Sequence, residues 1–400
     1  MTHTDQHSRD LIRDSFYLDA GLWKRGRNVL VFLALIAWIG CAAGALENRQ
    51  QFEFSYLTAF MYFVSIGIGA LFFVMIQYLT GSAWSVPVRR LMENISVTLP
   101  AGIVLFVPLA FGLSDLYTWV HPTAGVVAAK SGYLNPTFFL IRAGIFLAIW
   151  SLWALQIYKQ STRQDRTNAI GQMRIASAWS APGLLLLTLT TTLASFDWVM
   201  SLNAKWYSTI FGLYVYSGGA FAFMAVLTLI CLGFRRIGVL KNTINEEHYH
   251  DLGKWMFALT CFWAYMAFSQ YLLIWYANIP EETVFYHARM VGTWREWSLV
   301  LLFGHFAVPF LMLISRPAKR NRTVLTIAAS WIALMHFVDL HWLIMPNLHK
   351  EGVSLSWMDP AALLAVGSVV ALVFWGRLRH NAIVPVGDLR FEQGLAFKNA

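Results

Sequence analysis

Ten stretches of this chain are each long and apolar enough to cross a bilayer, and no other feature narrows its fold as much. A helix needs about 20 apolar residues to span the hydrocarbon core, where lipid offers no partners for backbone N–H and C=O groups. The runs lie near residues 28–46, 56–78, 97–118, 136–158, 180–201, 207–234, 252–276, 297–315, 323–345 and 360–377. Only 13% of the residues are charged, against about 25% in soluble domains. The expected fold is an all-α integral membrane protein with ten transmembrane helices. Tryptophans gather near the run ends (Trp119, Trp198, Trp206, Trp275, Trp342, Trp375), as an interfacial belt requires.

Lys and Arg sit in alternate connections. The N-terminal segment carries Lys24, Arg25 and Arg27, and the same side takes Arg89, Arg90, Lys159, Arg163, Arg166, Arg174, Arg235, Arg236, Lys241, Lys254, Arg316, Lys319, Arg320, Arg322, Arg377 and Arg379. The opposite connections hold only Arg49, Lys130, Lys205, Arg289, Arg295 and Lys350. By the positive-inside rule both termini are expected to be cytoplasmic. Residues 1–27 are polar and lack a signal peptide's apolar core, so the first run is expected to remain as an anchor. The net charge of +9 is scattered over short loops and is no nucleic-acid surface. Cys41, Cys231 and Cys261 all fall in apolar runs, and no C-x-x-C-H motif or cysteine cluster is present, so no covalent haem, zinc or iron–sulfur site is expected in this chain.

Two internal echoes divide the chain. Tyr62-x-x-Ser65-x-Gly67 in the second run matches Tyr214-x-x-Ser217-x-Gly219 in the sixth. Phe196-Asp197-Trp198-x-Met200 closes the fifth run, and Phe337-Val338-Asp339-x-His341-Trp342-x-x-Met345 closes the ninth. Runs two to five and six to nine then form two four-helix bundles related by an axis along the membrane normal, with the first and tenth helices flanking. The expected segments are a cytoplasmic stretch 1–27, a first helix 28–46, a first bundle 56–201, a second bundle 207–345, a tenth helix 360–377 and a cytoplasmic tail 378–400. Between the bundles a tight hairpin over Ser195–Thr209 carries Asn203 and Lys205.

Ionisable residues inside membrane helices are costly and are therefore functional candidates, the alternatives being buried structural pairs or snorkelling end residues. Arg142 lies in the fourth run, and Asp115, Asp197 and Asp339 sit at comparable depth on the same, external side. An Arg–Asp pair removes much of the solvation cost; a polar pocket or proton entry is the competing reading. His336 and Asp339 share a helix face at i,i+3, as a relay element or a structural pair. His341 points elsewhere and reaches the external interface with Trp342. His305 stands four residues before Pro309, which cannot donate to the carbonyl of residue 305, so a local helix defect is expected there; Pro108 does the same to Val104. Thr188, Thr191, Thr192 and Ser195 line one face of the fifth run, for packing or as a hydroxyl wire to Asp197. Gln270 and Gln77 join the relay candidates. His305 with His336 is the one pair that can face a haem b; a haem–copper centre would need more histidines.

Several segments resemble one family. They are Thr167-Asn168-Ala169-Ile170-Gly171 through Ala181-Pro182-Gly183, Phe196 to Leu202, Trp206 to Gly212, Phe268 to Thr283 with its run Gln270-Tyr271-Leu272-Leu273-Ile274-Trp275-Tyr276-Ala277-Asn278-Ile279-Pro280-Glu281-Glu282-Thr283, and the tail Pro385-Val386-Gly387-Asp388-Leu389-Arg390 to Phe397. They are similar to the second NrfD-type (polysulfide-reductase-like) membrane subunit of bacterial alternative complex III, a quinol:cytochrome c oxidoreductase, and the resemblance extends over nearly the whole chain. The resemblance implies ten helices in two four-helix bundles and a subunit without redox cofactor of its own, acting as scaffold and proton path. It also implies a sister NrfD-like subunit, iron–sulfur and multihaem cytochrome c partners carrying the clusters and haem c, surrounding lipid, and quinol as the reductant of the complex. A departure stands at Ala204-Lys205-Trp206, where the family has Pro-His before the tryptophan; lysine there weakens a proton-exchanging role for that turn. A quinone site on the external side near Arg142 and Asp115, or a stand-alone secondary transporter, are the alternatives.

Overall fold

The computed structural model describes residues 16–121, 126–167 and 170–399. Most of the N-terminal segment and the Asn168-Ala169 part of one motif lie outside these residues. Among the described residues ten helices are long and apolar enough to cross a membrane, and the chain is accordingly a multi-pass helical membrane protein. They are α1 Ala20–Glu47, α2 Arg49–Thr80, α3 Val86–Phe111, α4 Pro136–Thr167, α5 Ile170–Asn203, α6 Phe211–Arg236, α7 Glu246–Ala277, α8 Trp294–Leu313, α9 Arg322–Asn347 and α10 Met358–Arg377.

The helices outrun their apolar stretches because caps, rather than hydropathy, end them. The Asp19 carboxylate accepts from Leu22 N at 3.0 Å and starts α1 eight residues before the apolar run. Asn48 alone separates α1 from α2, ending the first and capping the second through Gln51 N at 3.1 Å. The largest displacement is in α3, expected over 97–118 but running from Val86 to Phe111. Pro87 in its first turn suits a helix start, and Pro100 and Pro108 then interrupt its ladder. This shift corrects two placements. Arg89 and Arg90 are not loop residues; they lie in α3, fully buried. Asp115 is not inside the span but on the single turn Leu113–Leu116 beyond it. In the central hairpin, α5 tightens to a 3-10 turn over Met200–Asn203 and α6 begins at Phe211 rather than 207.

α2 and α6 are the most enclosed helices and α1 the most outward-facing. α2 packs on α3, α5, α6 and α9; α6 on α2, α5, α7 and α9; α4 lies against α5, α8 against α7 and α9, and α1 and α10 pair beside α2. The crossing of α2 and α6 is made of backbone. A Cβ on Gly219 would sit 2.7 Å from Ser65 Cβ, and one on Gly69 3.0 Å from Ala220 Cα. Small residues permit this approach, which is how membrane helices gain packing without a hydrophobic drive. The Tyr62/Ser65 and Tyr214/Ser217 motifs therefore meet at this crossing.

The C-terminal tail folds back against the starts of α3 and α7 and the end of α4, forming the tail face of the molecule. Arg89 pairs with Asp388; Arg90 contacts Glu93 at 2.9 Å and Asp165 at 2.8 Å; Asn399 contacts Glu247 at 3.0 Å. Arg90 also donates to Ser161 Oγ (3.0 Å) and Tyr78 to Glu93 (3.0 Å). This network explains why two adjacent arginines tolerate complete burial: nearly every charge has an opposite charge and further hydrogen bonds.

Candidate functional site

In the second half of α9 two polar side chains, His336 and Asp339, converge on a gap in α6. Gly218 lacks a side chain where one would crowd both groups: a Cβ there would stand 3.2 Å from Asp339 Oδ2 and 3.3 Å from His336 Nδ1. Asp339 accepts from the Tyr214 hydroxyl of α6 and from Trp263 Nε1 of α7 at 3.1 Å. His336 Nε2 meets Ser65 Oγ of α2 at 2.9 Å, with the Tyr62 ring 5.3 Å away, and His336 Nδ1 has no protein partner. The i,i+3 contact expected between His336 and Asp339 is not made. Each is held by other helices, and both face Gly218.

His305 is wholly buried one helix away, its ring stacked on Phe221 at 5.3 Å and 4.2 Å from the Trp263 ring, with neither nitrogen bonded to protein. Its helix is defective, as Pro309 leads one to expect, but the defect is a π-turn over Leu301–Ala307. Val308 N reaches back five residues to Phe303 O. In that register Pro309 fails the carbonyl of Gly304 rather than that of His305, and Trp331 Nε1 takes the place of the missing donor at 2.7 Å. Trp263 thus touches both His305 and Asp339.

The other candidates are placed elsewhere. Arg142 and Asp197 form a two-pronged pair, Nε–Oδ2 2.6 Å and Nη2–Oδ1 3.1 Å, nearly removed from solvent. Arg142 also donates to Tyr133 O at 2.9 Å and lies 3.8 Å from that ring's centroid. Asp115 joins neither: it pairs with Arg49 at 2.9 Å in a partly exposed position. Gln270 contacts the Tyr286 hydroxyl at 3.4 Å, beside the short helix Pro280–Ala288. On α5, Thr188, Thr192 and Ser195 donate back to their own helix, so no direct hydroxyl wire runs to Asp197. Thr191 and Trp198 have unpartnered polar atoms and share, with Ser65, the lining of a cavity of about 10 Å³, at the lower limit for one water.

Reasoning from the runs alone also misplaced His341 and missed other residues. His341 does not reach the interface; it is fully buried among Trp294, Trp297 and Phe337, with Nε2 3.9 Å from Asp359 Oδ2. The reason is that the first turn of α10 covers it. From Asp359 a polar chain leads outward on the face opposite the tail: Ser55 Oγ donates to Asp359 Oδ1 (2.6 Å), Gln51 Nε2 to Ser55 Oγ (3.0 Å), and His349 Nε2 lies 2.7 Å from Gln51 Oε1. Burial lowers the pKa of His349, partly offset by Asp359, so the outermost imidazole is neutral near pH 7. Gln51, Ser55 and Asp359 were hidden because each lies just outside or at the very edge of an apolar run. Buried Arg289 was hidden as a loop residue; it donates to the carbonyls of Phe285 (2.8 Å), Trp342 (3.1 Å) and Leu343 (2.8 Å), capping the end of α9.

The described residues contain no group of three or more His, Cys, Asp or Glu able to hold a metal ion. What the arrangement offers is proton chemistry: carboxylate, imidazole, phenol, hydroxyl and indole groups in reach of one another at the centre, and a second chain leading from the surface to His341, five residues along α9 from His336. No family model and no curated protein matches the chain.

Proposed function

We propose that this chain is a cofactor-free membrane subunit of a quinol-oxidising electron-transfer complex of the alternative complex III type, serving as scaffold and as a proton path in its second half. In this reading α2–α5 and α6–α9 are two four-helix bundles of like orientation with α1 and α10 alongside, and both termini are cytoplasmic in a bacterial inner membrane. The motif resemblance and the meeting of the two Tyr/Ser/Gly echoes at the α2–α6 crossing support it.

The observation that carries the proton path is the contrast between the two equivalent carboxylates. Asp197 has its charge cancelled by Arg142, while Asp339 is bonded only to neutral donors, a phenol and an indole. A proton arriving at or leaving Asp339 changes the local charge of the core, which is what a relay group must do. His336 and Ser65 lie on one side of it. The chain His349–Gln51–Ser55–Asp359–His341 provides the approach from the face opposite the tail.

The test is Asp339→Asn in the assembled complex, with proton uptake measured against electron transfer. Fewer protons per electron, with haem and iron–sulfur partners still co-purifying, is the expected outcome. Unchanged stoichiometry and rate would reduce Asp339 to a structural residue. Purification of the chain without redox partners would favour a stand-alone transporter instead.

A second reading has one observation in its favour. A groove of about 450 Å³ opens beside Tyr133, Phe196, Met200, Trp206 and Tyr207, close to the Tyr133 anchor of Arg142, and suits a quinone headgroup on the external side. Photolabelling of this chain by a quinone analogue, lost on Phe196→Ala, would establish it. Labelling confined to the sister subunit would remove it.

A further inference from the structure

At the tail face the end of α6 and the start of α9 leave an open groove of about 430 Å³. Four cations line it: Arg235 and Arg236 from the last turn of α6, Lys241 from the following loop, and Arg322 from the first position of α9. No acidic side chain is among its lining residues. The loop is pre-set rather than loose. Arg235 Nη1 donates to Lys241 O (2.5 Å) and Ile244 O (3.1 Å), Gly238 takes a left-handed turn at φ 84°, and Leu240, also left-handed, is buried.

The first free amides of α9 are already taken, since Asn321 Oδ1 accepts from Thr323 N (2.9 Å) and Val324 N (3.3 Å). The positive charge of the groove therefore comes from the four side chains. Of the acids in the first turn of α7, Glu247 is held by Arg320 at 2.6 Å and by Asn399. The floor of the groove is apolar at Leu232, and Ile327, one residue past the lining Thr326, is exposed beside it. Cations at the ends of two membrane-crossing helices, with apolar surface adjoining, match a phosphate that carries acyl chains.

We infer that this groove binds the headgroup of an anionic phospholipid, and a two-phosphate headgroup better than a single one. Four cations in one groove exceed what the single charge of one phosphodiester neutralises, while two phosphodiesters bring two negative charges and four unesterified acceptor oxygens into reach. Arg235 positions the loop; Arg236, Lys241 and Arg322 supply the contacts. This site is independent of the proton path.

The experiment uses the full chain in neutral detergent, or the complex with which it purifies, titrated with diphosphatidylglycerol, phosphatidylcholine or inorganic phosphate and read by native mass spectrometry. Saturable binding of diphosphatidylglycerol but not of phosphatidylcholine is expected. Arg236→Gln with Lys241→Gln should weaken it about thirty-fold, each cation near a charged headgroup contributing about five-fold. Arg295→Gln with Lys350→Gln, at the start of α8 and beyond the far end of α9, removes the same charge away from the groove and should leave affinity unchanged. An equal loss in that control would mean diffuse attraction and overturn the site. Competition by inorganic phosphate at the lipid's own concentration would overturn the lipid assignment, as would equal binding of phosphatidylcholine. Correct folding of the variants is read from an unchanged thermal midpoint without added lipid.

Discussion

Asp197 and Asp339 occupy corresponding places near the ends of α5 and α9, and their partners make them different residues. Asp197 is locked to Arg142 by two short contacts. Removing one member of a buried pair strands the other charge, at a cost of about 3–5 kcal/mol, whereas apolar replacement of both is nearly neutral. Asp197→Leu should therefore lower the thermal midpoint sharply, and Asp197→Leu with Arg142→Met should recover most of it. A double variant as unstable as the single one would show that Arg142 has another task. Asp339→Asn keeps both contacts, with its amide oxygen accepting from Trp263 Nε1 and its amide N–H donating to the Tyr214 oxygen, so its effect should appear in proton transfer and not in stability.

Within the helices, the π-turn of α8 is the most informative departure from regularity. An extra residue in the turn rotates the remainder of the helix and sets His305 between Phe221 and Trp263. It also leaves Gly304 O to the Trp331 indole. Trp331→Phe deletes that donor and leaves a buried carbonyl unpaired, a cost of about 1–3 kcal/mol. The expected result is a lower thermal midpoint with amide exchange rising first over 301–308; uniform exchange across α8 would show that the indole does not hold the turn. Pro309 made a defect legible in the sequence. Its register was not, because the choice between α and π turns depends on which neighbouring helix offers a donor.

For the molecule as a whole, the tail is a clamp. Burial alone would raise the Asp388 carboxyl, but Arg89, together with Arg390, holds it below its ordinary value. A carboxyl whose pKa is depressed by folding adds stability above its unfolded pKa and loses it as pH falls through the folded one. Tail protection should thus be constant between about pH 5 and about pH 8 and fail only below about pH 4. Hydrogen exchange over residues 386–397 checks this, and loss of protection at neutral pH would contradict it. Asp388→Asn leaves Arg89 only Glu93 and should expose the tail to proteolysis at every pH.

The number of helices, their approximate extents and the ionisable residues among them could be read from the chain alone, because hydropathy and span length are local properties. The site could be read in part: Asp339, His336, His305, Asp197 and Arg142 stand out as polar residues in apolar surroundings. Which of them meet was decided only by packing. Asp197 and Arg142 are 55 residues apart, and Ser65 and His336 are separated by 271. Burial makes every unpaired polar group costly, but many pairings relieve that cost equally well on paper. Close contact of α2 and α6 through glycine selects among them, placing Gly218 against Asp339 and His336. The same packing buries Arg89, Arg90, Arg289 and His341, which their positions in the sequence assign to loops or to the interface.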